Sequence, residues 1–392
     1  MSSLTDLIYL DHAATTARRP AAVTRAVVEY LEEIGATPGR GSHRLAIAAE
    51  RVLLRCRQAL ARLLDIPGDP GRIAFMHNAT HALNTALAGL LGPGDRVVVT
   101  VYDHNAVLRP VYRLREQRGV EIVLVPGDAS GALDDDALDE ALDGARLLVV
   151  NGASNVLGTA LDVTALTRRA HAAGALVLLD GAQLAGHAPL AVAARGVDAV
   201  ALTGHKGLLG PQGTGALWLR PGLDIEPLLV GGTGGDSMQP RMPEPLPDHL
   251  EAGTLNGPGI AGMAAGAELV LHDTIERVHA RLGNLKATLR DGLLAIPGLR
   301  VLSPAAPQGV PIVTVVADAI DPASFALRLD REHGVLVRPG LHCAPEVHRL
   351  LGTDRTGAVR FSIGSTTTEA ELERAIEAVA QVLATARDAR PA

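Results

Sequence analysis

Short apolar runs alternate with helical patterns through the first two thirds of the chain. The runs are continuous rather than alternating and are rich in Val and Leu, which is typical of strands covered on both faces. This succession predicts an α/β fold with a mostly parallel, doubly wound sheet and right-handed crossovers. The predicted strands are Arg72–Met76, Arg96–Val101, Glu121–Val125, Arg146–Asn151, Ala175–Asp180 and Asp198–Thr203. The predicted helices between them are Ala79–Leu91, Ala106–Arg118 and Ala165–Ala173.

Further elements are predicted on either side of this region. Two long helices precede the sheet, and the segment Gly231–Asp248, dense in Gly and Pro, predicts a long loop after it. The C-terminal third mixes helices with a strand and predicts a second, smaller α+β unit. The two helices before the sheet are predicted at Ala21–Ile34 and His43–Leu64. In the C-terminal third we predict the helices Pro258–Leu271, Thr274–Leu294, Pro322–Glu332 and Glu369–Ala386 and the strand Val310–Ala317.

Composition and charge narrow the classes of partner. The 392 residues include 36 Lys and Arg against 43 Asp and Glu, a net charge of −7, and only 2% are aromatic. An acidic chain gains no counterion-release affinity for nucleic acid or for an anionic membrane, and few aromatics disfavour base stacking. No signal-peptide pattern and no apolar run of about 20 residues occurs. We therefore expect a cytoplasmic protein that binds neither nucleic acid nor membranes.

The two cysteines, Cys56 and Cys343, do not suggest a disulfide framework, and they indicate a reducing compartment. Cys56 lies within a predicted helix, where a buried thiol acts as a small apolar residue. Cys343 lies outside the predicted helices and strands, where a thiol can be a nucleophile or an inert group. We predict no metal site.

Reactive side chains follow the predicted strands, at the sheet edge where open α/β proteins bind ligands. Lys206 comes after Thr203 and His205 at the end of one strand. A lysine there can form a Schiff base with an aldehyde, although a surface lysine is the common alternative. Asp180 ends the preceding strand and can pair with the nitrogen of a pyridine ring, as in pyridoxal phosphate (PLP) sites. On its own it could equally cap a helix or bind a metal.

Three more strand ends carry polar groups. Thr80 opens a helix, whose N-terminus is a phosphate site or an ordinary cap. His104 could stack on a flat cofactor and transfer protons, and Asn155 could offer its amide to a phenolic oxygen. Each signal is weak alone, but five in succession at strand ends indicate a PLP site.

These motifs resemble the class V, fold-type I PLP enzymes over nearly the whole chain, specifically the cysteine desulfurases and selenocysteine lyases. The resemblance implies a large cofactor-binding α/β domain of residues 17–256. It implies a small α+β domain of residues 1–16 plus 257–392, which closes over the cofactor. The matching motifs are Tyr9–Thr16 (YLDHAATT), Gly39–His43 (GRGSH), Asp180–Gln183 (DGAQ), Gly204–Lys206 (GHK), Glu251–Asn256 (EAGTLN) and Val359–Ser362 (VRFS).

The resemblance also implies a role for each matching residue. Lys206 would form the Schiff base, and Asp180 would pair with the pyridine nitrogen. His104 would stack on the ring and assist proton transfer, while Gln183 and Asn155 would contact the phenolic oxygen. The phosphate would be held by Ala79 and Thr80 with His81 nearby, by Thr203 and His205, and by Thr254 from the partner subunit of a homodimer. The substrate would contact Arg360, which grips its carboxylate, together with Arg338 and Asn155.

Cys343 lies in the segment Val337–Pro345, which is similar to the RxGHHCAxP loop of group II desulfurases. The resemblance implies that L-cysteine is converted to L-alanine while its sulfur moves to Cys343 as a persulfide, then to an acceptor protein. Cationic neighbours favour the thiolate that this reaction needs, and His342 and Arg338 are close in sequence.

Two departures from the family pattern leave alternatives open. Leu341 replaces the first His of the loop, and Ser365–Thr367 replace a Tyr-Asn pair found in many relatives. Selenocysteine lyase activity uses the same residues, and C–S β-elimination or transamination would not need Cys343. A sulfur-relay scaffold without catalysis is disfavoured because the cofactor positions are intact.

Overall fold

The computed structural model describes residues 6–39, 41–66, 68–234, 238–305 and 309–388. Arg40 of the GRGSH motif, residues 235–237 of the predicted loop and residues 1–5 of the predicted small domain lie outside these ranges.

The described residues form an α/β fold with one large and two smaller sheets. The strands are β1 (Ile8–Tyr9), β2 (Ile73–Met76), β3 (Arg96–Thr100), β4 (Glu121–Val125), β5 (Leu147–Asn151), β6 (Leu176–Asp180), β7 (Ala199–Thr203), β8 (Gly215–Leu219), β9 (Leu299–Val301), β10 (Ile312–Ala317), β11 (Val335–Leu336), β12 (Arg338–Gly340) and β13 (Ala358–Ser362). The helices are α1 (Ala21–Glu29), α2 (Arg44–Leu63), α3 (Ala79–Leu90), α4 (Asn105–Arg118), α5 (Asp135–Leu142), α6 (Val163–Ala172), α7 (Val192–Arg195), α8 (Gly257–Asp273), α9 (Ile275–Leu294), α10 (Pro322–His333), α11 (Pro345–Leu350) and α12 (Glu369–Asp388).

The large sheet has the strand order β2-β8-β7-β6-β5-β3-β4. All six predicted strands of this region belong to it, and the predicted fold class is confirmed. Strands β3 to β7 pair in parallel, whereas β8 runs antiparallel to both β2 and β7. The apolar pattern did not predict β8, because its five residues follow a Gly-rich stretch without a helical crossover. The sheet is buried on both faces, as continuous apolar strands require.

The register of the parallel strands brings their last residues together. Asn151 at the end of β5 lies opposite Asp180 at the end of β6, and Asp180 lies opposite Ala201 of β7. Side chains that follow these strands therefore share one edge of the sheet. Helix α4 begins at this edge, after β3, and α3 begins after β2.

The helices α1, α2 and α8 pack together on one face of the large sheet. The apolar side chains Ile260, Met263 and Ala267 of α8 join the same core as the sheet residues. The division between domains at residues 256 and 257 stays a prediction, although α8 contributes to the core of the large sheet.

The C-terminal third forms an antiparallel sheet with the order β12-β13-β10-β9. Apolar side chains of α9, α10 and α12 bury one of its faces, with Leu289, Phe325 and Val379 fully enclosed. The N-terminal segment joins this unit because β1 pairs in parallel with β11 and Asp11 bridges to Ser362. Among the described helices, none combines the length and apolarity needed to cross a membrane.

Candidate active site

A cavity of about 220 Å³ opens at the carboxyl ends of the parallel strands. Nine of the residues predicted to bind a cofactor line it, although they come from five separate stretches of the chain. They are Ala79, Thr80, His104, Asn155, Asp180, Gln183, Thr203, His205 and Lys206. The sheet register explains their convergence, since each follows or ends a strand of the large sheet.

Lys206 and Asp180 are oppositely charged side chains that line this cavity. Burial lowers the pKa of Lys206 to about 8, although the negative charge of Asp180 opposes the shift. Burial raises the pKa of the Asp180 carboxyl, while Lys206 and a hydrogen bond from the Ala182 N–H favour its ionised form. A lysine with a lowered pKa is a better nucleophile near neutral pH, as Schiff-base formation requires.

Four buried polar atoms on the cavity wall have no hydrogen-bond partner among the described residues. They are Asn155 Oδ1, Gln183 Oε1, Thr203 Oγ1 and His205 Nδ1. Unpaired buried polar atoms are costly, so their concentration at one cavity indicates a polar ligand. Because the cavity also holds a lysine and a buried carboxylate, the residues present fit a phosphorylated pyridine aldehyde such as PLP.

The N-terminus of α3 supplies donors for the phosphate end of such a ligand. The first N–H groups of a helix have no partner inside the helix, and the helix dipole favours an anion there. The side chain of Asn78 caps α3 by accepting from the His81 N–H at 2.9 Å, and Asn78, Ala79 and Thr80 line the cavity.

His81 and Thr254 do not line this cavity. The ring of His81 stacks on His77 with 5.1 Å between centroids, and it lines a second cavity of about 40 Å³ together with Thr254. Thr254 is exposed. These two predicted phosphate residues are therefore separate from the other nine within one chain.

His104 caps α4 and faces the same cavity. Its Nδ1 accepts from the Ala106 N–H at 2.9 Å, so a neutral ring carries its hydrogen on Nε2. Burial, with the positive charges of Lys206 and Arg360, lowers the pKa of His104 to about 4. Because its Nδ1 is engaged and its pKa is low, the ring is a weak base and suits stacking on a flat cofactor better than proton abstraction.

The loop that carries Cys343 is bonded to the cavity wall. Asn155 Nδ2 donates to the His342 carbonyl at 2.6 Å, and the Asn105 N–H donates to the Cys343 carbonyl at 2.7 Å. Cys343 is a free, exposed cysteine, and its negative charge would raise the pKa of Lys206. Cys343 is therefore on a loop fixed to the cavity wall, although it is not itself a lining residue.

His342 is not the cationic neighbour of Cys343 that the sequence suggested. Its two ring nitrogens contact His348 and the Arg338 carbonyl. Burial and the nearby charge of Arg360 lower the pKa of His342 to about 3, so the ring is neutral. The cations near the loop are arginines instead.

Arg360 lies behind the cavity and is only 3% exposed. Its Nη1 donates to the Asn155 carbonyl at 3.1 Å, and its Nη2 pairs with Asp11 Oδ1 at 2.9 Å. Its Nε has no hydrogen-bond partner among the described residues. Arg338, the other predicted substrate residue, is exposed and lies opposite Arg360 in the register of β12 and β13.

Sequence reasoning missed three residues of the site. Asp11 pairs with Arg360, and Asn78 caps α3 beside the cavity. Asp103 is fully buried with Oδ1 unpaired, and burial raises its pKa to about 8. Asp11 lies in the YLDHAATT motif, and Asp103 directly precedes His104. Their positions could therefore have suggested a role, but nothing in the sequence names the partner of either carboxylate.

The departures from the family pattern do not line the cavity. Leu341 is exposed beside Cys343, whereas Ser365 and Thr366 line a different cavity of about 230 Å³ with His187.

The fold and the site define a fold-type I architecture of the kind that PLP enzymes use. The model of the aminotransferase class-V family matches residues 8–375, and the chain belongs to this family. The predicted family membership is thereby confirmed.

Curated relatives agree with this assignment. A "probable cysteine desulfurase" of Methanothermobacter thermautotrophicus is 37% identical over 94% of this chain and 93% of its own. A "cysteine desulfurase" of Cereibacter sphaeroides is 34% identical over 96% of this chain and 95% of its own.

Solved structures show the same similarity. The apo structure of a cysteine desulfurase from Thermococcus onnurineus has a TM-score of 0.91 and 30% identity, covering 97% of this chain and 96% of its own. The cysteine desulfurase CsdA of Escherichia coli in an S-sulfonic acid form has a TM-score of 0.88 and 28% identity. It covers 98% of this chain and 96% of its own.

Proposed function

We propose that this protein is a PLP-dependent cysteine desulfurase that converts L-cysteine to L-alanine and carries the sulfur on Cys343 as a persulfide. The observation that carries the proposal is the attachment of the Cys343 loop to the cavity that holds Lys206 and Asp180. The names of the similar proteins agree with it.

The cofactor would be held by the two charged side chains of the cavity and by side chains with unpaired polar atoms. Lys206 would bind its aldehyde carbon, Asp180 would keep the ring nitrogen protonated, and Asn155 and Gln183 would contact the phenolic oxygen. Bound PLP supplies an electron sink for the substrate's α-carbon. His104 would cover the ring face and exclude water from it.

The α-proton of the substrate is best removed by Lys206. Its pKa of about 8 leaves about a tenth of the amine neutral at pH 7, far more than an ordinary lysine would have. The pKa of His104, about 4, makes that ring a far weaker base, and its Nδ1 is already engaged by the Ala106 N–H.

Arg360 would bind the substrate carboxylate with its unpaired Nε, while Asp11 and the Asn155 carbonyl hold the guanidinium in place. The Cys343 thiolate then attacks the sulfur of the substrate. The new S–S bond forms as the C–S bond breaks, its electron pair returns to the substrate carbon, and protonation yields alanine. An external thiol or an acceptor protein later removes the persulfide sulfur.

The chain offers a matched control for the test because it contains only two cysteines. Alanine formation from L-cysteine with a reductant present is compared for the wild type, Cys343→Ala and Cys56→Ala. Cys56 is fully buried in α2, and burial raises its pKa, so its thiol is inert. We expect almost no alanine from Cys343→Ala and near-normal rates from Cys56→Ala.

A mass-spectrometric readout separates the desulfurase from other PLP activities. Without reductant, the wild type should form about one alanine per site, and the peptide containing Cys343 should gain one sulfur atom. Equal alanine formation by Cys343→Ala and the wild type would contradict the proposal. Activity of Cys343→Ala on selenocysteine alone would instead identify a selenocysteine lyase, and pyruvate as product would identify β-elimination.

We also propose a homodimer whose active sites include Thr254 from the partner. Thr254 is exposed and does not line the cofactor cavity of its own chain. Large apolar side chains are exposed on α1 and the turn after it, on α2 and on the segment before the Gly/Pro-rich loop, and a partner would cover them. They are Val28, Leu31, Leu45, Ile47, Leu54, Leu229 and Val230.

Complementation tests this arrangement. Lys206→Ala and Thr254→Asp are each expected to be inactive, the second because its carboxylate repels the phosphate. Co-expressed, they should recover about a quarter of the wild-type activity, since half the dimers are mixed and each has one intact site. No recovery in verified mixed dimers would show that Thr254 serves its own chain.

The protein is proposed to act in the cytoplasm, where its thiols stay reduced. Cys343 is exposed and unpaired, and its proposed chemistry requires a free thiolate.

A further inference from the structure

Three buried side chains behind Cys343 form a continuous hydrogen-bonded chain that ends on the backbone of its loop. Thr353 Oγ1 lies 2.7 Å from His348 Nδ1, and His348 Nε2 lies 3.1 Å from His342 Nδ1. His342 Nε2 lies 3.0 Å from the Arg338 carbonyl oxygen. The three residues are 0–5% exposed, so water does not compete for these contacts.

The direction of every hydrogen bond follows from the carbonyl at the end of the chain. The Arg338 carbonyl can only accept, so His342 carries its hydrogen on Nε2. A neutral His342 then accepts at Nδ1 from His348 Nε2, and His348 must accept at Nδ1 from the Thr353 hydroxyl. With hydrogen on Nε2 of both rings, the Thr353 hydroxyl, the two imidazoles and the Arg338 carbonyl all have a hydrogen-bond partner.

Both rings are neutral in this arrangement. Burial lowers the pKa of His348 to about 4, although Asp354 opposes the shift. Burial and the charge of Arg360 lower the pKa of His342 still further. An extra hydrogen on His348 Nδ1 would turn the Thr353 hydroxyl from a donor into an acceptor, so the order above belongs to the neutral rings.

The segment held by this chain has an unusual backbone. His342 and Cys343 have φ angles of +50° and +57°, in the left-handed region that residues other than Gly rarely adopt. Two such residues in succession persist only where surrounding contacts hold them. Their carbonyls accept from Asn155 Nδ2 and from the Asn105 N–H on the side of the cofactor cavity.

The loop is therefore held by two separate sets of contacts. Asn155 and Asn105 bind its carbonyls at the cavity, while His348 and Thr353 hold the His342 ring through α11 and the turn after it. Removing the contacts of His348 and Thr353 would leave the left-handed backbone free to relax and would move the Cys343 thiol.

We propose that His348 and Thr353 are positioning residues for Cys343, acting through His342 to hold the thiol where it can attack the sulfur of bound substrate. The proposal rests on the proposed desulfurase function. Neither residue lines the cofactor cavity, so their effect should fall on sulfur transfer and not on binding of cofactor or cysteine.

Thr353→Val and Thr353→Ser are a matched pair of variants for the test. Valine keeps the shape of the threonine side chain but lacks the hydroxyl, whereas serine keeps the hydroxyl. Single-turnover persulfide formation on Cys343 is measured together with KM for L-cysteine and the visible absorbance of bound PLP. We expect Thr353→Val to slow persulfide formation roughly tenfold at unchanged KM and absorbance, with Thr353→Ser within about twofold of wild type. A Val variant at the wild-type rate, or equally slow Val and Ser variants, would overturn the proposal.

The tautomers give a second readout that needs neither cofactor nor activity. In ¹⁵N-histidine-labelled apo protein, the His342 and His348 signals should show hydrogen on Nε2 and stay neutral down to roughly pH 5. Signals are assigned by their loss in His342→Gln and His348→Gln. Hydrogen on Nδ1, or titration near the ordinary histidine pKa, would overturn the proposal even if the Thr353 variants do not fold.

The two proposals fail in distinguishable ways. If Cys343→Ala still forms alanine at the wild-type rate, the desulfurase assignment is wrong while the tautomer measurement stands. If the wild type forms the persulfide and Thr353→Val forms it equally fast, only the positioning role is wrong.

Discussion

Asp11 and Arg360 form an ion pair at 2.9 Å, although 349 residues separate them along the chain. Asp11 follows β1 and Arg360 lies in the middle of β13, so the N-terminal segment orients the guanidinium proposed to bind the substrate. The side chain of Arg360 is almost fully buried, which makes its orientation depend on these contacts.

Replacing Arg360 with Lys should raise KM for L-cysteine about 10- to 100-fold. Lysine keeps the charge but cannot contact Asp11, the Asn155 carbonyl and a carboxylate together, and a charged hydrogen bond contributes about 1.5–3 kcal/mol. Steady-state kinetics measure the change, with Arg328→Lys on the surface of α10 as the control. A KM equal to that of the wild type would show that Arg360 does not bind the carboxylate.

The two lysines of the chain give a direct test of the cofactor attachment site. Lys206 lines the cofactor cavity, whereas the buried Lys286 donates a hydrogen bond from its Nζ to the Gly158 carbonyl. Burial lowers the pKa of each lysine to about 8, so the two amines differ in position and not in basicity. After borohydride reduction of the PLP-loaded protein, mass spectrometry should find the pyridoxyl group on Lys206 alone. Lys206→Ala should lose this label and Lys286→Met should keep it. A label on Lys286 in the wild type would contradict the site assignment.

Uptake of PLP by the apo protein should depend on pH through the Lys206 amine. Only the neutral amine attacks an aldehyde, and burial disfavours the charged form, so the proton leaves near pH 8 instead of 10.5. The rate of uptake should rise with pH and level off above about pH 8. Because Asp180 raises this pKa, Asp180→Asn should move the midpoint to lower pH. Stopped-flow absorbance measures both profiles, and a rate still rising steeply through pH 10 would disagree with a buried Lys206.

Two ion pairs on α2 should differ in their contribution to stability. Arg57 pairs with Glu251 at 2.7 Å with both side chains below 10% exposure, and Glu251 also accepts from the Phe75 N–H. Glu251→Gln should lower the free energy of unfolding by about 3–5 kcal/mol, because it leaves the Arg57 charge buried without its partner.

The neighbouring pair provides the control for this stability measurement. Arg55 and Glu268 are 63% and 35% exposed, so Glu268→Gln should cost less than about 1 kcal/mol. Urea unfolding of both variants measures the difference. Equal losses would mean that water reaches the Arg57–Glu251 pair.

The fold class and most of the cofactor cavity could be predicted from the sequence. Continuous apolar runs identify strands locally. Because parallel strands end at one edge of the sheet, the residues just after them can be predicted to share one site. Lys206, Asp180 and His104 were found in this way, and the structure places all three on one cavity. The antiparallel strand β8 was missed because its short run carries no signal of direction or partner.

Contacts between distant segments were decided by the tertiary structure alone. The pairing of Asp11 with Arg360, the separation of His81 and Thr254 from the main cavity, and the neutrality of His342 depend on which chain segments meet. Hydrogen-bond direction, burial and pKa are properties of those surroundings, so the same residue types predict different chemistry in different folds. The sequence by itself determined the kinds of groups available at the strand ends, and the tertiary structure determined their partners and their charge.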